Sequence, residues 1–136
     1  MKVLKFYRCN VCGNIAIKLV DSGIPMVCCG QPMTEIVANT TDAAQEKHVP
    51  VVTRNGDVVD VKVGSVPHPM TNEHYIQFIV LETEENTYIK ELQPNDAPET
   101  KFLLSKDKKI KAVYAYCNLH SLWVSTTLSW LWKNYT

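Results

Sequence analysis

Cys9, Cys12, Cys28 and Cys29 all fall within the first 29 residues, in the pattern Cys-x2-Cys-x15-Cys-Cys. A segment this short cannot close a hydrophobic core unaided, because units below about 40 residues generally need a metal, disulfides or a partner chain. Two-residue spacing lets both sulfurs of a Cys-x-x-Cys turn face one ion, and four thiolates surround it as a tetrahedron at about 2.3 Å. Zinc and iron both accept such a site. Gly13 and Gly30 follow the two pairs and allow the backbone to fold tightly beneath the sulfurs. The adjacent Cys28-Cys29 is unusual: consecutive side chains diverge, so two ligands from neighbouring residues demand a strained local backbone. A zinc ribbon would use Cys-x-x-Cys twice. The competing reading is a disulfide pair or idle thiols. The stretch Met1 to Arg8 alternates charged with apolar residues and lacks the apolar run of a secretory signal. A cytoplasmic location is therefore expected, where thiols stay reduced and clustered cysteines hold metal.

The remaining metal-binding chemistry lies elsewhere. His48, His68, His74 and His120 all follow residue 47, together with Cys117. Between the two sets, Val37 to Gln45 is small, polar and without hydrophobic period, which reads as a linker. At 136 residues the chain suits one ordinary domain plus a small module, and 46% hydrophobic with 21% charged residues is a globular composition. Fourteen basic and fourteen acidic side chains cancel. With no basic block beyond Lys108-Lys109, neither a nucleic-acid nor a membrane partner is expected, and an anionic ligand must be drawn by local charge.

Beyond the linker the pattern is β. Two valine-rich runs from Val49 to Val63 flank Asn55-Gly56, which tolerates positive φ at both central positions of a type I′ turn. His74 to Leu81 is apolar on both faces and predicts a buried central strand, ended by Glu82 to Asn86. Shorter strands are expected at Tyr88 to Leu92 and Lys101 to Leu104. Lys109 to Tyr116 alternates, with Ile110, Ala112, Tyr114 and Tyr116 on one side and Val113, Ala115 and Cys117 on the other. Six or seven short strands with regular turn signals predict an antiparallel β-sandwich with no helix beyond two turns.

The histidines and Cys117 all fall at the ends of these strands, where the loops of a sandwich converge. Four imidazoles and a thiolate exceed the four ligands of structural zinc. They suit six-coordinate iron with one position open to a small molecule. A trigonal copper site is disfavoured because no Met follows Cys117.

Cys-x-x-Cys-Gly with Cys-Cys-Gly-x-Pro-Met, then Glu-Lys-His-Val-Pro, Gly-Ser-Val-Pro-His-Pro-Met and Cys-Asn-Leu-His, resemble the desulfoferrodoxins, the two-iron superoxide reductases. The resemblance implies a desulforedoxin-like iron module (residues 1–37) ligated by Cys9, Cys12, Cys28 and Cys29. It implies next an immunoglobulin-like antiparallel sandwich (38–123) with a second iron on His48, His68, His74, His120 and axial Cys117. By the same resemblance Lys47 draws superoxide to the iron, and Glu46 takes the sixth position once the iron is oxidised. Superoxide is reduced to hydrogen peroxide with electrons from a donor such as rubredoxin, in a homodimer. A non-catalytic iron electron-transfer protein and a superoxide dismutase are the alternatives. Residues 124–136 extend past the family pattern; at about 20 Å if helical they are too short to span a bilayer. Their alternation favours a strand packed on the sandwich or across a dimer interface.

Overall fold

The computed structural model describes residues 4–126. The chain divides into two compact units, Met1–Val37 and Ala38–Thr136. In the first, β1 (Phe6–Arg8) pairs antiparallel with β2 (Ile15–Ile17) on one side and β5 (Thr34–Ile36) on the other, and β3 (Val27–Cys28) pairs with β4 (Gln31–Pro32). These strands are two or three residues long, too short to carry a readable alternation. Leu4, Phe6 and Cys9 are the buried apolar residues of the unit's described part, whereas Val20, Ile24 and Val27 face solvent.

The second unit is a two-sheet sandwich. One sheet has the order β10-β7-β6, built from β6 (Pro50–Asn55), β7 (Val58–Val63) and β10 (Glu99–Leu103). The other has the order β12-β11-β8-β9, from β8 (Ile76–Thr83), β9 (Thr87–Glu91), β11 (Ile110–Cys117) and β12 (Ser121–Thr126). All pairings are antiparallel. The expected hairpin forms, but its two-residue loop is Gly56-Asp57, one position beyond the expected Asn55-Gly56. Asn55 pairs with Val58 as the last strand residue, and of these residues Gly56 alone has positive φ, 61°, the pattern of a type II′ turn with glycine first. Val52, Val59, Val61 and Val63 from one sheet meet Ile79, Leu81, Val113, Ala115 and Cys117 from the other. Cys117 thus joins the hydrophobic core directly.

Ile110 departs from the expected alternation. A register shift between Ile110 and Ala112 turns Ile110 into the core beside Val113 and Ala115, away from Tyr114 and Tyr116. One extra residue in a strand reverses which face the following residues occupy. On the face away from the core, Tyr114 donates to Glu82 Oε1 at 2.8 Å, and Lys111 Nζ lies 3.6 Å from Oε2. Burial, and then the nearby carboxylate, push the Tyr114 phenol above its ordinary range.

Among the described residues one short helix, α1 (Gln45–His48), precedes β6. No helix among the described residues is long and apolar enough to cross a membrane. Strand β12 runs to Thr126, pairing Ala112 with Thr126 and Cys117 with Ser121, so residues 124–126 are strand. The expectation for 127–136 lies outside the described residues.

Candidate metal centres

The sequence-expected residues come together in two groups. Cys9, Cys12, Cys28 and Cys29 place their sulfurs within 4.8 Å of one another. Cys12 and Cys28 sulfurs are 3.6 Å apart, and those of Cys28 and Cys29 are 3.9 Å apart. A tetrahedron with metal–sulfur bonds of about 2.3 Å has edges of about 3.8 Å, so the thiols already stand at ligand spacing. The strain expected of Cys28-Cys29 is visible: Cys29 has φ 52° and Gly30 φ 73°. The left-handed turn at Cys29 brings two consecutive side chains to one side, at a cost of about 1–2 kcal/mol for a residue bearing a Cβ. Crowded thiols resist ionising together. Hydrogen bonding with Cys12, then with Cys9 and Cys28, pushes the Cys29 thiol up to about 12, while the Cys12 backbone amide draws Cys9 down to about 6. A cation among them would remove that conflict.

The second group is His48, His68, His74, His120 and Cys117. Neighbouring ring centroids form a closed cycle: His48–His68 4.7 Å, His68–His74 4.7 Å, His74–His120 5.0 Å and His120–His48 4.9 Å. Each pair is edge-on, between 73° and 89°. The four rings therefore form a pinwheel with His48 opposite His74 and His68 opposite His120.

Two tautomers are fixed by the backbone. His48 Nδ1–H donates to Ala44 O at 2.7 Å, and His68 Nδ1–H donates to Pro69 O at 2.6 Å. Carbonyls only accept, so both Nε2 atoms of the neutral rings carry bare lone pairs. Those two nitrogens face each other at 3.2 Å, and His48 Nε2 lies 3.1 Å from His120 Nδ1. His74 Nε2 is buried with no hydrogen-bond partner. Lone pairs do not converge in this way without a cation to share them. Metal-ligating histidines commonly use their second nitrogen as His48 and His68 do, on a carbonyl. Burial, the largest influence, lowers His48 and His74 and takes His68 to about 4, which keeps the rings neutral and available as donors. Lys47 adds to the lowering at His74, and Glu46 opposes it at His48.

Local structure explains how distant segments meet. The β11–β12 hairpin carries Asn118 to His120 in a three-residue loop, with Ser121 at φ 67° where such loops place a left-handed residue. The His120 amide donates to Cys117 Sγ at 3.4 Å, as the Cys12 amide does to Cys9 Sγ at 3.5 Å. Both sulfur-bearing turns thus use the same amide three residues on. Asn118 brackets His74: its Oδ1 accepts from Tyr75 N at 3.0 Å, and its Nδ2 donates to Glu73 O at 2.9 Å.

Gly64, the first residue of Gly-Ser-Val-Pro-His-Pro-Met, permits a close approach that the motif by itself does not show. A Cβ there would lie 2.6 Å from Glu46 O and 3.1 Å from Val49 O. Val66 N and Ser65 Oγ both donate to that same Glu46 carbonyl, at 2.9 and 3.2 Å. The glycine lets α1, with Glu46, Lys47 and His48, sit against the loop that delivers His68. Gly64→Ala is expected to displace α1, cost about 1–3 kcal/mol and weaken metal retention in the histidine centre. Thermal unfolding and metal content check it; a variant matching wild type in both would show that the contact yields freely.

Comparison with known proteins places this arrangement. The desulfoferrodoxin family model matches residues 40–126, and the model of the desulfoferrodoxin N-terminal domain matches residues 1–36. The chain belongs to the desulfoferrodoxin family. A desulfoferrodoxin homolog of Archaeoglobus fulgidus is 46% identical over 125 residues, 91% of this chain and 98% of that protein. The desulfoferrodoxin of Clostridium acetobutylicum is 47% identical over 120 residues, 88% of this chain and 94% of the relative. Among solved structures, the superoxide reductase of Treponema pallidum superposes with a TM-score of 0.77 at 38% identity, covering 92% of this chain and 100% of that one. The one-iron superoxide reductase of Giardia intestinalis gives 0.51 at 35% identity, over 59% of this desulfoferrodoxin and 95% of the Giardia chain.

Proposed function

We propose that this chain is a superoxide reductase with two iron centres, one on Cys9, Cys12, Cys28 and Cys29 and one on His48, His68, His74, His120 and Cys117. The observation that carries the reading is the pinwheel of four imidazoles with converging lone pairs and a buried thiol beside them. Five donors exceed the closed four-ligand set of structural zinc, and the solved relatives with this fold are superoxide reductases. Residues 1–37 form the iron module and the sandwich from residue 38 the catalytic domain, which takes in residues 124–126 as part of β12. An external donor such as rubredoxin, a homodimeric assembly and a cytoplasmic location complete the reading, with family membership as their support.

When bound, ferrous iron supplies one electron, which with two protons converts superoxide to hydrogen peroxide. The protein's own groups do the rest. The backbone-fixed tautomers of His48 and His68 hold two donors aimed inward before any metal arrives, and Asn118 anchors the residues on both sides of His74. Cys117 contributes an anionic sulfur from within the apolar core. There burial raises the thiol while the amides of His120 and Leu119 lower it, so the cation is needed to complete ionisation. Lys47 stands exposed on α1, and its charge is felt at His74. In a chain with no net charge, this is local steering for a small anion. Glu46, exposed beside it, is the carboxylate assigned to the oxidised state.

Rapid measurement of superoxide decay on the reduced, iron-loaded protein tests both parts. Wild type is expected to consume superoxide with a rate that falls as salt is added. Lys47→Glu is expected to react about tenfold more slowly, with the salt dependence lost or reversed. No consumption by wild type overturns the function; equal rates overturn the role of Lys47.

A further inference from the structure

We propose that Trp123 is a positioning residue that sets the angle between His48 and His120. The two histidines lie 72 positions apart in sequence, yet their nitrogens stand 3.1 Å apart with ring planes at 89°. His120 rides on the β11–β12 loop, whereas His48 ends a four-residue helix that belongs to no sheet. The Ala44 carbonyl fixes one point on the His48 ring and leaves its plane free to swing about that bond.

Trp123 limits that swing by stacking on the ring while it holds the His120 segment by its backbone. Its indole is 1% exposed and stacks on the His48 ring, with centroids 4.8 Å apart and planes at 24°. Its Nε1–H donates to His120 O at 2.9 Å. Register places it: Trp123 lies opposite Ala115 in β12, two residues past Ser121, whose left-handed φ of 67° turns the strand back beneath the His120 loop. One rigid side chain therefore touches a ligand from each of two separately delivered segments. An indole face is also electron-rich, and it stacks more favourably on an imidazole drained by a cation than on a neutral one. The contact thus strengthens as metal binds. The proposal rests on the histidine centre described above but not on the identity of the substrate.

Full-length protein carrying one equivalent of zinc, which the four soft thiolates take first, is titrated with cobalt(II), and the sulfur-to-cobalt absorption of the second centre is followed. Wild-type binding at one further equivalent tests the centre itself. Trp123→Phe keeps an aromatic face but loses the donor, and is expected to bind about tenfold more weakly with a shifted band. Trp123→Leu loses both contacts and is expected to approach a hundredfold, the upper range for groups that orient metal ligands. Variants that melt earlier yet keep wild-type affinity and band overturn the proposal and leave Trp123 a packing residue. If Trp123→Leu fails to fold, Trp123→Phe decides: weakened binding upholds positioning, and unchanged binding with an unchanged band overturns it.

Discussion

Stripping metal from the four-cysteine centre with a chelator is expected to unfold residues 4–37 while the sandwich stays folded. The small unit's described part buries only Leu4, Phe6 and Cys9 among its apolar side chains, and its sheets pair strands of two or three residues. Ordering each residue's backbone costs about 1–2 kcal/mol, which three buried side chains cannot offset. A metal bound to such a site contributes about 10–16 kcal/mol at neutral pH and also relieves the crowding of the thiols around Cys29. The second unit needs no such help, because its core joins Val52, Val59, Val61 and Val63 to Ile79, Leu81 and Val113 across two sheets. Amide exchange should show this division. Protection of β1, β2 and β5 should vanish on chelation, with β7, β8 and β11 still protected. Retained protection in β1, β2 and β5 would mean that the unit is held by something other than its metal.

Cys117→Ser is expected to abolish the sulfur-to-iron absorption of the histidine centre and to slow superoxide reduction by about a hundredfold, some 2.7 kcal/mol in the barrier. Cys117 is fully buried, lies in the core cluster and holds its sulfur 3.9 Å from His120 Nδ1. A serine hydroxyl ionises far less readily than a thiol and is a harder donor, so the histidines keep their places while the polarisable anion beside them is lost. The buried hydroxyl also costs stability, about 1–3 kcal/mol, so unfolding is measured in parallel with the spectrum. A folded variant with wild-type absorption would remove Cys117 from the ligand set.

The two donor sets were legible because each declares itself locally. Cys-x-x-Cys and Cys-x-x-His put two ligands on one turn, and the fold then has only to bring turns together. The hairpin between the two valine runs was legible from its glycine, but its loop is Gly56-Asp57, so the type I′ expectation for Asn55-Gly56 misses by one residue. What escaped was chemistry supplied by the backbone or by long-range register. The carbonyls of Ala44 and Pro69 fix tautomers, but any residue has a carbonyl. Gly64 matters only because Glu46 O lies 2.6 Å from where its Cβ would be, a contact that no periodicity announces. Trp123 carries no local signal of its part, because only the pairing of β11 with β12 sets it under His120. Ile110 turns into the core, against the strict period of two that puts it with Tyr114 and Tyr116, because a bulge lies between it and Ala112.

Product stoichiometry separates reductase, dismutase and electron carrier most directly. Iron-loaded protein with excess reduced donor is given superoxide, and hydrogen peroxide and dioxygen are counted. The expected result is one peroxide formed for each superoxide consumed, matched by donor oxidation, with no dioxygen released. Dioxygen at one molecule for every two superoxides, with the donor left reduced, would contradict it and make the centre a dismutase.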